Sequence, residues 1–325
     1  MVHAAPSALR RPPGLSLERP NLAAMSISLI IPTKRRPAPL AAALECAARA
    51  LPPEGEVIIV DCDSERSAEH VVSELRSRYP QVTARYLSTA PGASLQRNVG
   101  IDAACGEVLV FMDDDCTFEP GLFEALMTAY RDPSVVGATG RIDGPRRDRL
   151  GAHHYSRLRW LLVGGGRQGH MSSFGFRRPI VELERARDVE YMPGPLMSAR
   201  REVAAEVRFD EQLTNYSLGE DDDFSYRVSR RGRIRYEPSA VVYHHELGAR
   251  QMDQRGLDRL QVVNRTYLFR KNFPQTLRAR AGFAALLVIL CVHRVLNREW
   301  SGLYGLVEGI RHARRLGTQP PGSAA

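Results

Sequence analysis

The sequence has only two lysines, Lys34 and Lys271, although lysine and arginine together number 45. Its basic charge is therefore almost all arginine, a skew that coding bias can produce, so the net charge of +8 is weak evidence for a nucleic-acid partner. The five cysteines are scattered and contain no CxxC pair. This pattern argues against a disulfide framework or a zinc site, and it favours a reducing compartment.

Long apolar runs are also scarce. The apolar run at 281–292 has twelve residues, where a membrane-spanning helix needs about 20. No stretch of residues 1–25 is apolar enough for a signal peptide, and their Pro, Arg and Ala content predicts a disordered tail, with translation starting at Met1 or Met25. The overall composition, 43% hydrophobic and 25% charged, is that of an ordinary globular protein.

From residue 26 onward, strand and helix patterns alternate. Buried-strand patterns occupy 26–33, 56–61, 82–88 and 107–112, and helical patterns separate them at 39–51, 67–79 and 93–105. Such alternation predicts an α/β fold in which helices cover both faces of a parallel sheet. Ligands of such sheets bind beyond the carboxyl ends of the strands. Three of these ends carry polar clusters, which should line one crevice: PTKRR (32–36), DCDS (61–64) and DDDC (113–116).

The aspartate triplet at 113–115 is the densest of these clusters. Side chains at i and i+2 of an extended chain point the same way, so Asp113 and Asp115 could share a target while Asp114 faces elsewhere. Two carboxylates with open positions suit Mg²⁺ or Mn²⁺. The alternative is a solvated turn that caps the following helix.

A second acidic cluster, GEDDD at 219–223, exceeds what a helix N-terminus requires. Soon afterwards, the strand pattern at 234–246 ends in His244 and His245. A histidine at a strand end is a candidate metal ligand when acidic clusters already occur in the chain.

The order of these segments resembles the inverting family 2 glycosyltransferases with the GT-A fold, over about residues 26–250. The resemblance implies a Rossmann-like mixed sheet flanked by helices, a nucleotide-diphosphate sugar donor, and a divalent cation, Mg²⁺ or Mn²⁺. The segments that carry it are SLIIPTKRR, IIVDCDS, GASLQRNVGIDAACGEVLVFMDDD, YMPGPLMSARR, FDEQL, GEDDDFSYRVSRRG and YEPSAVVYHH.

By the same resemblance, each matching position has an expected role. The general base is Asp221, and Gly194 and Glu220 lie on the acceptor side. The metal ligands are Asp113, Asp115 and His244. The nucleotide-sugar-binding residues are Pro32, Thr33, Arg35, Asp61, Asp63, Arg97, Asp113 and Asp114.

Two positions depart from the family pattern, because Arg36 follows Arg35 with no Asn, and Cys62 stands where an acid or Asn is more usual.

The expected reaction moves a sugar, with a UDP-sugar as the first expected donor, to a hydroxyl of a glycan or lipid-linked acceptor in cell-envelope synthesis. Two alternatives remain open: a metal-dependent nucleotidyltransferase or phosphohydrolase, and a non-catalytic sugar-nucleotide-binding module. The GGGRQG match at 164–169 lacks a following helical pattern, so it favours a flexible acceptor-side loop over a dinucleotide site.

The expected domains are a tail at 1–25, a GT-A domain at 26–250 and a C-terminal helical segment at 251–325. Arginines flank the apolar run at 281–292. This run is either a buried core helix or an interfacial helix, and the flanking arginines favour a membrane surface. The expected location is cytoplasmic and peripheral, on the inner face of the cytoplasmic membrane.

Overall fold

The computed structural model describes residues 25–145, 167–180, 183–213, 217–246, 252–316 and 321. Residues 1–24 of the expected tail and the first half of GGGRQG lie outside these residues. The strands are β1 (Ile27–Thr33), β2 (Glu56–Asp61), β3 (Thr83–Ser88), β4 (Val108–Met112), β5 (Cys116–Phe118), β6 (Val135–Asp143), β7 (Arg187–Val189), β8 (Leu196–Arg200) and β9 (Arg233–His244). The helices are α1 (Pro37–Ala50), α2 (Glu69–Arg78), α3 (Ala93–Ala103), α4 (Leu122–Tyr130), α5 (Arg201–Val207), α6 (Glu220–Ser229), α7 (Gln254–Asn272), α8 (Leu277–Leu296) and α9 (Trp300–Leu316).

The strands form one mixed sheet in the order β3-β2-β1-β4-β8-β6-β9-β5, with β7 paired to β9. The first four are parallel, as the alternating pattern predicts, because each is joined to the next through a crossover helix. Beyond β4 the sheet becomes mixed, since β8 runs antiparallel to both β4 and β6. This confirms the α/β fold and its mixed sheet.

Apolar side chains cover both faces of the sheet. On one face, α1, α2 and α4 pack against strand residues in one core cluster. On the other face, α3, α5 and α6 form a second cluster around Phe111 and Phe224. The helix α3 approaches β1 so closely that a Cβ on Gly100 would stand 2.4 Å from Ile30 Cγ2. This contact fixes α3, and with it Arg97, against the ends of the central strands.

The three C-terminal helices extend this domain. The first, α7, is capped by Asp253, which accepts a hydrogen bond from the Gly256 amide at 2.7 Å. It joins α6 through Lys271, whose ammonium lies 2.9 Å from the buried carboxylate of Asp223. The second, α8, is twenty residues long, because the helix continues on both sides of the twelve-residue apolar run.

Candidate active site

The polar ends of β1, β2 and β4 meet at one edge of the sheet, because β1 lies between the other two strands. Thr33 donates a hydrogen bond to Asp114 Oδ2 at 2.7 Å. Arg36 donates to Asp114 Oδ1 at 2.6 Å and to Asp115 Oδ2 at 2.7 Å. Arg35 donates to Asp63 Oδ1 at 3.0 Å. The expected crevice is therefore present, and arginines of the chain itself supply part of the positive charge that the aspartates require.

The aspartate triplet is a turn and not an extended segment. The Cys116 amide donates to the Asp113 carbonyl at 3.3 Å, which closes the turn between β4 and β5. Asp114 and Asp115 therefore share Arg36, whereas Asp113 faces Arg97 Nη2 at 3.0 Å. The extended backbone that the prediction assumed is therefore absent at the triplet, and a cation shared by Asp113 and Asp115 stays a prediction.

Asp115 and His244 lie together at the centre of the site. The pairing of β5 with β9 sets Cys116 opposite His244, and this brings His244 Nε2 to 3.1 Å from Asp115 Oδ1. Burial works against the charged imidazole, but the hydrogen bond and charge of Asp115 still raise the pKa of His244. Burial would also raise the pKa of Asp115, yet His244 and Arg36 hold it below its usual range. His245 faces Thr117 instead, at 2.7 Å.

These two side chains can hold a divalent cation. The ligand atoms of Asp115, Cys116 and His244 lie within 4.8 Å of one another. The Cys116 thiol is fully buried, and burial raises its pKa well above 9, so a hard cation would use the carboxylate and the imidazole. Asp113, whose side chain is 31% exposed, is the remaining carboxylate of this turn that a cation or a ligand can reach.

The nucleoside edge contains both accessible and enclosed residues. Arg35 is the most exposed, with 60% of its side chain accessible and a positive φ of 53°. Asp61 is fully buried, and its oxygens accept from the Asp63 and Ala68 amides and from Tyr86. The expected nucleotide contact by Asp61 therefore does not fit this arrangement, because its carboxylate holds the β2–α2 loop together. Asp63 is similarly enclosed, and Pro32 is half-buried beside Thr33.

Arg97 joins the two acidic clusters. Its guanidinium donates to Asp113 from Nη2 and to Glu220 from Nη1, each at 3.0 Å. The Arg97 side chain is only 3% exposed, so it holds the β4–β5 turn and the start of α6 against each other. Burial raises the pKa of Glu220 to about 8, against the opposing charge of Arg97.

The four acids of GEDDD have different partners. Glu220 faces Arg97, whereas Asp221 and Asp222 both contact Arg177, at 3.2 and 2.9 Å. Asp223 is fully buried and contacts Lys271 of α7. Four consecutive acids therefore reflect several separate contacts, with Arg97, Arg177 and Lys271.

Asp221, the expected base, is enclosed by polar donors. Tyr191 donates to Asp221 Oδ2 at 2.9 Å, and burial raises the pKa of Tyr191 well above 10, so its hydroxyl remains a donor. The Asp222 amide donates to Asp221 Oδ1 at 2.9 Å. A Cβ on Gly194 would stand 3.8 Å from Asp221 Oδ2. Gly194 therefore lies beside the Asp221 carboxylate, and its role on the acceptor side stays a prediction.

Sequence reasoning missed three residues of this site: Arg36, Arg177 and Tyr191. Arg36 was visible as a departure from the family pattern, and its position one turn past β1 could have pointed to the aspartates. Arg177 and Tyr191 lie in irregular segments far from α6 in sequence, and the guanidinium of Arg177 lies over the Tyr191 ring, 4.7 Å from its centroid. Tyr191 begins the segment YMPGPLMSARR, but no sequence pattern connects it to Arg177 or to Asp221.

The mixed sheet, its C-terminal helices and the acidic crevice define a GT-A-type nucleotide-sugar transferase fold. The family model for glycosyl transferase family 2 matches residues 28–207, more than half of the chain. The chain therefore belongs to glycosyl transferase family 2, which confirms the resemblance drawn from its motifs.

Curated relatives agree with this assignment. Over 155 residues, 47% of this chain, it is 29% identical to the pre-mycofactocin glycosyltransferase of Mycobacterium tuberculosis. Over 110 residues, 34% of this chain, it is 38% identical to an uncharacterized glycosyltransferase of Haemophilus influenzae. The matches span only 30% and 36% of those relatives' own lengths.

Solved structures share the fold at low sequence identity. The mannosyltransferase PcManGT from Pyrobaculum calidifontis, solved with GDP-Man and Mn²⁺, aligns with a TM-score of 0.53 at 16% identity, covering 90% of this chain and 76% of that one. S. aureus TarS 1-349 with UDP-GlcNAc aligns with a TM-score of 0.52 at 15% identity, covering 89% and 92%. These likenesses confirm the GT-A fold.

Proposed function

We propose that this protein transfers a sugar from a nucleotide-diphosphate donor, first of all a UDP-sugar, to a hydroxyl of a glycan or lipid-linked acceptor in cell-envelope polysaccharide or glycoconjugate synthesis. The observation that carries this proposal is the contact of Arg97 with both acidic clusters. Through Asp113 and Glu220, Arg97 connects the turn that carries the candidate metal ligand Asp115 to the start of α6, which carries a separate carboxylate, Asp221. Glycosyl transfer requires both groups, one for the leaving diphosphate and one for the acceptor hydroxyl.

The reaction is a single displacement with inversion. The acceptor oxygen bonds to the anomeric carbon as the bond from that carbon to the donor phosphate breaks, and the nucleoside diphosphate leaves. Asp221 takes the proton of the acceptor hydroxyl, while Tyr191 and Arg177 orient its carboxylate. A cation held by Asp115 and His244 would supply positive charge to the diphosphate. Thr33, Arg35 and Arg36 line the edge where the nucleoside would bind.

Three variants separate the metal site from the base. Asp115→Ala and His244→Ala should weaken Mn²⁺-dependent donor binding, because each removes a ligand of the cation. Asp221→Asn keeps the shape but cannot accept a proton, so it should retain donor binding and lower turnover by about 10²–10⁴-fold. Donor binding is measured by titration calorimetry with Mn²⁺, using UDP-sugars first and GDP-sugars second. Turnover is measured as transfer to a panel of acceptors.

A matched control is Asp188→Asn, because Asp188 forms an exposed ion pair with Arg233 on β7 and β9. It should leave both readouts unchanged. Near-normal turnover by Asp221→Asn would refute the assigned base and move attention to Glu220 or Asp222. Donor hydrolysis that no acceptor accelerates would favour a phosphohydrolase, and donor binding without any turnover would favour a binding module.

A further inference from the structure

The positive charge of the chain is concentrated in its C-terminal segment. Residues 259–325 contain eleven arginines and lysines but only two acids, Glu299 and Glu308, which gives this segment a net charge of +9. The whole chain carries +8, so residues 1–258 carry −1. No acid at all occurs between Asp258 and Glu299. Coding bias towards arginine would not separate the acids in this way, so the segment has the charge expected for an anionic partner.

An exposed apolar stripe runs along α8 in this basic segment. Leu277 is 87% exposed, Val288 61% and Leu296 70%. Further exposed residues lie on the same side of α8 at helical spacing. Two exposed aromatic residues, Trp300 and Tyr304, follow on α9. Large apolar side chains exposed over this length mark an interaction surface. The other members of the stripe are Ala281, Ala284, Ala285, Val292 and Val295.

The opposite side of α8 packs on the domain. The Phe283 ring stacks on Phe269 of α7 with centroids 4.5 Å apart, and Leu286 packs against Phe176. The twelve-residue apolar run alone is too short to cross a membrane. The whole of α8, however, has twenty residues and is long and apolar enough to cross one by length and composition alone. The contacts of Phe283 and Leu286 favour a helix that lies along the domain, because a spanning helix would have to give them up. The helix therefore suits a position parallel to a membrane surface.

Arginines surround the stripe. Arg278 and Arg280 stand beside its first turn and Arg298 follows its end, all exposed. On α9, Arg311 and Arg315 follow Trp300 and Tyr304 at helical spacing, so they share one face of that helix. Arg278, Arg280, Arg298 and Arg315 form no ion pair within the part of the chain that the structure describes, whereas the charge of Arg311 acts on Glu308 of the same helix. Apolar residues bordered by exposed arginines fit a bilayer with anionic headgroups.

We infer that the face formed by the α8 stripe, Trp300, Tyr304 and these arginines binds in the plane of an anionic membrane surface, such as the negatively charged cytoplasmic leaflet. A second copy of the chain is a poorer occupant, because two segments of +9 would repel each other across the contact. The inference is independent of the proposed transfer reaction, and its test requires no activity.

The test is co-sedimentation of the full chain with vesicles of phosphatidylcholine alone or mixed with phosphatidylglycerol. We expect binding to the anionic vesicles, and we expect salt to weaken it. Val288→Glu/Val292→Glu changes two exposed positions of the stripe and should abolish binding. Arg278→Gln/Arg280→Gln should weaken binding on the order of tenfold, since each basic residue near the surface contributes to it. The control Gln81→Glu/Gln212→Glu makes the same change in net charge at exposed sites of the catalytic domain and should bind like the parent.

Three outcomes would overturn the inference. Equal binding by the stripe double variant and the control would mean that α8 does not contact lipid. Resistance of the bound protein to alkaline carbonate extraction would mean that α8 spans the bilayer. A dimer in solution that the stripe substitutions dissociate, together with an absence of vesicle binding, would mean that a second copy covers the stripe.

Discussion

A substitution at Asp223 tests whether this acid of the GEDDD cluster stabilises the fold, in contrast to Asp221, the proposed base. Its carboxylate is fully buried between α6 and α7. It accepts hydrogen bonds from Lys271 Nζ at 2.9 Å, from Asn272 Nδ2 at 2.7 Å and from Arg227 Nε at 3.0 Å. Asp223→Asn removes the negative charge and leaves the two cations facing each other at the helix junction.

The size of the effect follows from the burial of the network. Removing one partner of a buried ion pair costs about 3–5 kcal/mol. Lys271 is 28% exposed and keeps Asp210 at 2.6 Å, so we expect the lower end of that range, about 3 kcal/mol. For a large domain each kcal/mol lowers the melting temperature by about 2 °C, so the variant should melt about 6 °C below the parent.

The assay is thermal unfolding, combined with donor binding at a temperature where both proteins are folded. Asp102→Asn is the matched control, because Asp102 is also paired with an arginine, Arg208, but is 61% exposed, and such pairs contribute about 0–1 kcal/mol. Asp221→Asn should give the reverse result, with nearly normal melting and low turnover. If Asp223→Asn melts no lower than Asp102→Asn, the buried network does not join α7 to the catalytic domain.

Two further predictions concern stability. Gly100→Val should cost about 1–3 kcal/mol by urea unfolding, because its Cβ would stand 2.4 Å from Ile30, whereas Gly121→Val, with open space around it, should cost much less. Burial raises the pKa of Glu220 from its ordinary 4.5 to about 8, so the stability that this carboxyl contributes is complete below pH 4.5 and is lost as the pH rises to about 8. Glu220→Gln should therefore raise the melting temperature of the metal-free chain, relative to the parent, more at pH 8 than below pH 4.5; an equal change at both would contradict the assigned pKa.

The parallel half of the fold is predictable from the sequence because its strands are short apolar runs separated by amphipathic helices. The bounds of β2 match the predicted 56–61, and the predicted helix at 93–105 is two residues longer than α3. Local pattern does not determine where the later strands insert. β8 and β6 enter between β4 and β9, and the pairing of β5 with β9 brings His244 to Asp115 through contacts between distant parts of the chain.

The candidate site is predictable in its residues and less so in its contacts. Strand order places Thr33 and Asp114 at one edge, and the motifs predict His244 as a metal ligand and Asp221 as the base. The partner of each acid depends on side-chain geometry, so the sequence does not reveal that Asp113 turns to Arg97 or that Asp61 is closed within its own loop. The turn at the triplet is not predictable for the same reason, since the i, i+2 rule holds only while the backbone remains extended.

The proposed lipid surface and the proposed base are connected through one short segment of irregular chain. Phe174 and Phe176 pack against α8, and the next residue, Arg177, contacts Asp221. Through this segment α8 is connected to the part of the site that contains Asp221, the proposed base, rather than to the nucleoside edge, which Arg35 borders. Because this connection links the proposed lipid surface to the proposed base, lipid-linked hydroxyls are the acceptors to test first. A soluble glycan used equally well with and without vesicles would argue against this geometry.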